Sequence, residues 1–196
     1  INYIDDDTYY DYNKTQKVAL DAAHSVMNVL NIYSVNSVTS GANSICGHAE
    51  FPGGLDFAML DNGCTMNGST FAHEIGHYFN IYHTHQGSTE LVDGSNCAVS
   101  GDFLCDTPAD PGTAYEVYVN YTRCEMEGFF DEGGKEYHPM INNFMSYYKP
   151  CYMKPYRFSD GQYDVIYNAA KSRIRKDFVI DYLLLDEEKA QAIAVN

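Results

Sequence analysis

Residues 73–83 are the stretch that decides the fold of this chain: His73-Glu74-Ile75-Gly76-His77-Tyr78-Phe79-Asn80-Ile81-Tyr82-His83. The first two histidines are four residues apart. On a helix their imidazoles therefore lie one turn apart on one face and can bind the same metal ion. Glu74 follows the first histidine and points toward the same cleft, where it can hold a metal-bound water molecule. This arrangement is the helical HExxH pattern that indicates a zinc site.

The third histidine predicts a sharp turn after this helix. Six residues of continuous helix would carry His83 to another face and about 9 Å along the axis from His77. The chain must therefore turn near residue 80, and Asn80 tolerates the positive φ that such a turn needs. We predict that His73, His77 and His83 bind zinc, with His85 as the alternative third ligand.

This set of residues predicts the chemistry of a zinc hydrolase. Zinc lowers the pKa of its bound water toward neutrality, and Glu74 can accept the proton. The predicted mechanism is hydrolysis by a zinc-bound water, with Glu74 as the general base.

The segments around this stretch predict a small α+β domain. The active-site helix begins at Ser69 or Thr70 and ends near Asn80. Upstream, the hydrophobic spacing predicts a helix over residues 15–30 capped by Thr15, and strands over residues 30–38, 45–51 and 55–60. Downstream, residues 84–139 predict an irregular lobe with one alternating strand over 114–121. A capping box of Ser159 and Gln162 begins a last helix that we expect to end near residue 176.

Composition excludes several classes of protein. The chain has 196 residues, enough for one domain, and no run of 18 apolar residues that would predict a transmembrane segment. The 12 Lys and Arg against 27 Asp and Glu give a net charge of −15. Nucleic acid and anionic membranes both need a basic footprint, so we expect neither as a partner. The sequence sets no oligomeric state.

The cysteines predict an oxidising compartment. There are six, scattered and without a C-x-x-C pair, which favours disulfides over a four-cysteine zinc site. The alternative is six buried thiols in a cytosolic protein. Fifteen pairings are open. Cys46 and Cys64 flank a predicted hairpin and could close it, and the other four would tie the irregular lobe to the segment near Cys151. Because the chain begins at Ile1 without a leader, we expect a mature form or a fragment of a secreted protein, extracellular or periplasmic.

The motifs together resemble a known clan of enzymes. HExxHxxNxxH, followed by Asn-Phe-Met-Ser-Tyr at 143–147, resembles the metzincin zinc endopeptidases, with their extended zinc motif and Met-turn. Three further features are similar to the pappalysin family: His83-Thr84 at the end of the motif, the stretch GDFLCDTP at 101–108, and Cys151 followed by FSDGQ at 158–162. The resemblance spans roughly residues 30–170. Where the clan most often has Gly, this chain has Asn80.

The resemblance implies a metzincin-like fold. It has a twisted mixed sheet, an active-site helix, an irregular lower lobe with a Met-turn, and a C-terminal helix. Met145 would form the hydrophobic floor under the metal, and Tyr147 would bind zinc or steady the oxyanion, the alternative being a packed core tyrosine. An edge strand, here residues 45–51, would bind an extended protein or peptide substrate by strand addition.

Two further expectations concern the lower lobe. Asp93, Asp102, Asp106 and Asp110 predict a possible Ca²⁺ site, which the resemblance supports, the alternative being a solvated acidic loop. Family members that cut beside basic residues place an acid shortly after the cysteine that corresponds to Cys151. Here Cys151 is followed by Tyr152, Met153 and Lys154. A lysine would repel basic side chains, so we doubt a basic preference at P1′.

We therefore predict a single catalytic domain over residues 1–196, with an upper part of about 1–83 and a lower part of about 84–196. The predicted function is a secreted zinc endopeptidase. The alternative is a calcium- and disulfide-stabilised extracellular binding domain with a vestigial zinc site. Glu74 favours the enzyme, because a purely structural zinc needs no base beside its ligands.

Overall fold

Two small mixed sheets and a helix form the part of the chain that leads to the histidine motif. The structure is a computed structural model and describes residues 4–64, 69–87, 89–151 and 154–171. In chain order, this first part contains β1 (Asp11–Asn13), α1 (Lys17–His24), β2 (Asn31–Val35), β3 (Ser37–Ser40), β4 (Asn43–Ser44), β5 (Gly47–Ala49), β6 (Phe57–Asp61) and α2 (Ser69–Tyr78).

Both sheets combine parallel and antiparallel pairs. The first has the order β1-β3-β4, with β1 parallel and β4 antiparallel to β3. The second has the order β2-β6-β5, with β2 parallel and β5 antiparallel to β6. The Asp61 carboxylate links them, because its Oδ2 accepts a hydrogen bond from the Val38 N–H at 3.1 Å. Among the described residues, strand β5 pairs with β6 alone, so no strand lies on its other edge.

The second part of the chain is mostly irregular. Its regular elements are short 3-10 helices at Cys97–Val99 and Thr113–Tyr118, then β7 (Val119–Asn120), β8 (Glu125–Met126) and α3 (Asp160–Lys171). The predicted capping box is confirmed, since the Ser159 N–H donates to Gln162 Oε1 and the Gln162 N–H donates to Ser159 Oγ. The predicted end of this helix near residue 176 lies outside the described residues. The predicted α+β class is confirmed.

Each part has its own hydrophobic cluster. The first consists of fully buried side chains from both sheets and α1: Tyr12, Leu20, Val38, Phe57 and Met59. The second lies in the irregular part: Cys124, Met126, Ile141, Tyr148 and Cys151. Burying one large apolar side chain contributes about 1.5–3 kcal/mol, so each cluster stabilises its own segment of the chain.

Three disulfides account for all six cysteines. The predicted Cys46–Cys64 pair is confirmed, and it ties β5 to the segment after β6. Cys124–Cys151 joins the irregular part to the segment after the predicted Met-turn. Cys97–Cys105 instead closes a loop within the irregular part. None of the helices in the described ranges is both long and apolar enough to cross a membrane.

The predicted helix over 15–30 is too long. Helix α1 ends at His24, because Ser25 is already extended and the Asn31 side chain bonds the backbone of Val26 and Val29. These bonds offer the backbone an alternative to the helix. The predicted cap is also wrong, since the Asn13 side chain, rather than Thr15, accepts the bond that caps the 3-10 turn before α1.

Two predicted strands are also wrong in detail. The strand predicted over 30–38 breaks at Asn36 into β2 and β3, which join different sheets. Most of the strand predicted over 114–121 is the 3-10 helix Thr113–Tyr118, followed by β7. Its helical spacing places Tyr115 and Tyr118 on one side, with ring centroids 4.2 and 5.0 Å from that of Phe129. Packing of these rings therefore overrides the alternation.

Candidate active site

Helix α2 carries the first two histidines as the spacing predicts. It runs from Ser69 to Tyr78, and the Nε2 atoms of His73 and His77 are 3.1 Å apart. The chain then turns at Asn80, whose φ is +76°. The Ile81 N–H donates to the Gly76 carbonyl at 2.9 Å and the Asn80 N–H to the His77 carbonyl at 3.0 Å. These two bonds form a Schellman motif, which ends the helix.

This turn brings the third histidine to the other two. The Nε2 atom of His83 lies 2.9 Å from that of His77 and 3.2 Å from that of His73. These three histidines are the one group in the described residues whose ligand atoms lie close enough together to hold a metal ion. His85 stacks on His83, with ring centroids 5.1 Å apart, and lies outside the triad.

Backbone carbonyls orient two of the imidazoles. His73 Nδ1 donates to the Phe144 carbonyl at 2.7 Å, and His77 Nδ1 donates to the Ile81 carbonyl at 2.8 Å. With the protons on Nδ1, the Nε2 lone pairs are available for a metal. Burial lowers the pKa of His77 to about 4 and that of His83 to about 2, which keeps both neutral. A tetrahedral zinc with bonds of about 2.05 Å places its ligand nitrogens about 3.3 Å apart, so the triad fits zinc.

Glu74 is buried beside the triad. Burial raises the pKa of its carboxyl to about 8, while the charge of Lys14 and the Ala49 backbone act to lower it. Strand β5 leaves room for this side chain, because a Cβ at Gly47 would lie 2.7 Å from Glu74 Oε1. The edge strand and the predicted general base are therefore in direct contact.

Tyr147 lies against the histidines on another side. Its ring centroid is 4.6 Å from that of His83, 4.8 Å from that of His85 and 5.7 Å from that of His73. The side chain is 55% exposed, which excludes the alternative of a packed core tyrosine. Burial of the phenol, with the Glu74 charge as the smaller cause, raises the pKa of Tyr147.

Met145 is fully buried under α2. A Cβ at Gly76 would lie 2.4 Å from its Sδ, so only glycine lets the helix rest on this methionine. The Met145 N–H donates to Asn143 Oδ1 at 2.8 Å, and its carbonyl accepts from the Thr84 N–H at 3.2 Å. The first of these hydrogen bonds lies within the Met-turn, and the second connects the turn to the segment that carries His83.

A buried polar network supports the Met-turn, and sequence reasoning missed it. Asn143 Nδ2 donates to Gln162 Oε1 at 2.9 Å, and Gln162 Nε2 donates to Asp102 Oδ2 at 3.1 Å. All three residues are buried. The side chain that caps α3 therefore also holds the Met-turn against the acidic loop. The polar residue Gln162 at the start of a helix was the available signal.

The predicted calcium residues are not brought together. Asp102 accepts bonds from the Leu104 N–H and Thr107 Oγ1, in addition to Gln162. Asp106 accepts from the Gly161 N–H at the start of α3. Asp93 is on the surface, where its Oδ2 lies 3.2 Å from Lys135 Nζ. Asp110 instead accepts hydrogen bonds from the hydroxyls of Thr84 and Tyr148.

A cleft of about 860 Å³ runs past the triad between the two parts of the chain. Residues of β5 line it, and so do residues of the segment after the Met-turn, from Ser146 to Pro150. Lys154 lines a different cavity, with its Nζ 3.8 Å from Glu125 Oε1. The lysine of this segment that lies on the cleft is Lys149. The expectation that Lys154 repels basic substrate side chains is therefore wrong about the residue. Met153 lies outside the described residues.

Comparisons with known proteins agree with this site. The model of the peptidase family described as "Pregnancy-associated plasma protein-A" matches residues 13–154. An "Extracellular metalloprotease" of Pyricularia oryzae is 28% identical over 149 residues, covering 68% of this chain and 45% of the relative. "Extracellular metalloprotease NCU07200" of Neurospora crassa is 33% identical over 96 residues, covering 48% of this chain and 27% of the relative. This chain thus spans less than half the length of these relatives.

The chain is also similar to solved structures, among them that of a bacterial protein. This structure is "Tannerella forsythia mature mirolysin in complex with a cleaved peptide", at 20% sequence identity and a TM-score of 0.46. The match covers 76% of this chain and 54% of that chain. The predicted family is confirmed by the match to residues 13–154, which include the whole histidine motif and the Met-turn. This chain belongs to the pregnancy-associated plasma protein-A, or pappalysin, family of peptidases.

Proposed function

We propose that this chain is the catalytic domain of a secreted zinc endopeptidase. The observation that carries the proposal is the convergence of three Nε2 atoms within 3.2 Å beside the buried carboxyl of Glu74. Neutral imidazoles oriented through Nδ1 are ligands that suit zinc. The family and the names of the relatives support a metalloprotease. We retain the upper and lower parts, about 1–83 and 84–196, as a proposal.

A bound zinc would act as a Lewis acid and lower the pKa of a water molecule. His73, His77 and His83 would hold it. The positive charge of a bound metal would lower the pKa of Glu74, and the carboxylate then takes a proton from the attacking water and later delivers it to the leaving amine. Tyr147 reaches the same space, and its phenol donates a hydrogen bond to the developing oxyanion.

The open edge of β5 supports binding of an extended peptide. Its residues Gly47–Ala49 line the cleft next to Glu74, and β6 occupies only its other edge. A peptide that adds to β5 as a further strand would run along the edge of β5 that no strand of the described residues occupies. Its scissile bond would then lie between Glu74 and the histidines.

The charges of the cleft support a preference against basic side chains. Among the described residues that line the cleft, Glu74 is the one carboxylate, and Lys14 and Lys149 are also present. A basic substrate side chain would find no carboxylate there apart from the general base. Like charges side by side disfavour binding, so we propose that Arg and Lys are not preferred beside the scissile bond.

Secretion is supported by two observations. The relatives are named extracellular metalloproteases, and all six cysteines of this chain form disulfides. Disulfides persist in oxidising compartments.

The test combines metal analysis with cleavage of a peptide library. We expect about one zinc per chain, as in single-site peptidases, and cuts that a zinc chelator abolishes. Glu74→Ala should keep the zinc and lose activity by about 10²–10⁴-fold, because it removes the proton acceptor alone. His73→Ala should lose both zinc and activity. Glu132→Ala, which removes an exposed carboxylate elsewhere, should change neither.

The outcomes also separate the alternative. An active Glu74→Ala protein would contradict the assigned base. Zinc without any cuts would favour a calcium- and disulfide-stabilised binding domain with a vestigial zinc site. A folded protein without zinc would mean that the three histidines do not serve a metal.

A further inference from the structure

A row of aromatic rings extends from the histidine triad along one side of the cleft. Phe51 follows β5 by two residues, and its ring centroid lies 5.3 Å from that of His77 and 4.8 Å from that of Tyr82. The Tyr82 ring meets Phe103 edge to face at a centroid distance of 5.2 Å. We refer to Phe51, Tyr82 and Phe103 as the aromatic shelf.

The shelf leaves apolar surface open to solvent. Phe51 is 36% and Phe103 is 44% exposed. Phe51 and Tyr82 line the cleft itself. Neighbouring aromatic rings usually enter a core, and a contiguous exposed group of them marks a surface that a ligand covers. Their continuity with the triad indicates that this ligand is the one bound in the cleft.

The backbone at Phe103 supports the same conclusion. Its φ is +66°, a region that bulky side chains avoid. The loop is held in this shape by bonds from the Leu104 N–H and Thr107 Oγ1 to Asp102, and by the disulfide Cys97–Cys105. Residues kept in such conformations are concentrated at functional sites. Here the unfavourable backbone presents a half-exposed ring to Tyr82.

We propose that the aromatic shelf is a specificity subsite, which binds a large apolar or aromatic side chain of the peptide substrate. The inference rests on the proposed endopeptidase function. A peptide paired with β5 passes Phe51 at the end of that strand, within contact distance of a triad histidine. One of its alternating side chains then lies over the rings, where stacking and loss of exposed apolar area favour Phe, Tyr or Leu over Ser.

The test is a ratio of rates, which a general loss of folding or metal would not change. For matched peptides with Phe or Ser at the preferred position, kcat/KM is measured for the wild type, Phe51→Ser, Phe103→Gly and, as a control away from the cleft, Phe130→Ser. The Phe-to-Ser preference should fall about tenfold or more in Phe51→Ser. It should fall several-fold in Phe103→Gly and stay unchanged in the control. Glycine suits the positive φ, so Phe103→Gly should fold at least as well as the wild type.

Two results would overturn the proposal. One is a wild-type library profile without an apolar preference at any position, and the other is an unchanged Phe-to-Ser ratio in both shelf variants. If the wild type cuts no peptide, the proposed endopeptidase function fails instead. In that case the proposed role of the aromatic shelf is tested by fluorescence anisotropy with labelled forms of the same peptides. Equal affinities for the Phe and Ser peptides would overturn the proposal.

Discussion

At the scale of single residues, Asn80 determines how the zinc site assembles. Its positive φ ends α2, and the turn places the Ile81 carbonyl on His77 Nδ1 while directing His83 back toward the triad. One backbone conformation therefore orients the His77 ring and also brings His83 next to it. Asparagine serves where the clan most often has glycine, because its short polar side chain tolerates the left-handed region.

Substitutions at this position should separate backbone conformation from side chain. We expect Asn80→Gly to keep both zinc affinity and stability, and Asn80→Val to lose about 1–2 kcal/mol of unfolding free energy, because a β-branched residue opposes positive φ. Zinc affinity should fall with Asn80→Val. Urea unfolding and competitive zinc titration measure both quantities. Equal zinc affinity in the valine variant would contradict this account.

Glu90 should make stability depend on pH. Burial, and then the charges of Asp102 and Asp110, raise the pKa of this 5%-exposed carboxyl to about 7. In the unfolded chain the group ionises near its ordinary value of 4.5. Between these values the unfolded state releases the proton more readily than the folded state, so stability falls as pH rises.

The expected loss between pH 5 and pH 8 from this group is about 1–3 kcal/mol. Urea unfolding of the wild type and Glu90→Gln across this range measures it, because glutamine keeps the shape and removes the titration. The unfolding free energy of the wild type, relative to that of Glu90→Gln, should fall as pH rises. A difference that does not change with pH would show that Glu90 is not the source.

At the scale of elements, helix α2 and the Met-turn form a single unit. Gly76 lets the helix rest on Met145, and the Phe144 carbonyl just before this methionine orients His73. The Thr84 N–H, one residue past His83, donates to the Met145 carbonyl. The Met-turn therefore contacts the segments that carry the three histidines. We expect changes in its packing to alter the affinity of the triad for zinc.

Gly76→Ala tests this unit. Alanine has the higher helix propensity, by about 1 kcal/mol, and in an isolated helix would stabilise. Here its Cβ would lie 2.4 Å from Met145 Sδ and 3.3 Å from the Phe158 ring, so the helix and the turn must separate. We expect a net loss of about 1–3 kcal/mol in unfolding free energy and weaker zinc binding.

The matched control is Gly133→Ala, where a Cβ would meet only the carboxylate of Asp131 at 3.2 Å or more. Differential scanning calorimetry and zinc titration should find it close to the wild type. A Gly76→Ala protein as stable as this control would contradict the proposed contact between helix and turn.

At the scale of the whole molecule, the cleft is lined by residues from distant stretches of the chain. One cluster is built by residues 12–59 and the other by residues 124–151, and the site takes residues from both sides. The described residues of the second part form few helices and strands. We therefore expect its disulfides to contribute more to its stability than disulfides do in the first part. The disulfide Cys124–Cys151 lies inside its cluster and closes 27 residues that include the Met-turn.

Removal of this disulfide should cost more than removal of the smaller one. The loop-entropy relation predicts a loss of about 3.5 kcal/mol for Cys124→Ser with Cys151→Ser, against about 2.5 kcal/mol for the pair Cys97→Ser with Cys105→Ser. Urea unfolding of both double variants under non-reducing conditions measures the difference. A larger loss of unfolding free energy in the variant without Cys97–Cys105 would contradict the expectation that Cys124–Cys151 stabilises the chain more.

Local signals in the sequence predicted what depends on neighbours along the chain. The histidine spacing, the turn at Asn80 and the capping box of Ser159 and Gln162 involve residues at most ten positions apart, and the structure has each of them. The helix over 15–30 and the strand over 114–121 were wrong because distant or competing contacts decide there. Asn31 ends the former, and Phe129 packs against the latter.

The sequence by itself determined the histidine pattern, the glutamate beside it and the family, because side chains at helical spacing and a residue that tolerates positive φ act over short distances. Only the tertiary structure decided which groups surround that pattern. The carbonyl of Phe144 on His73, the contact of Gly76 with Met145 and the shelf of Phe51, Tyr82 and Phe103 join segments tens of residues apart. Such contacts arise from the packing of two parts of the chain against each other, which no local spacing encodes.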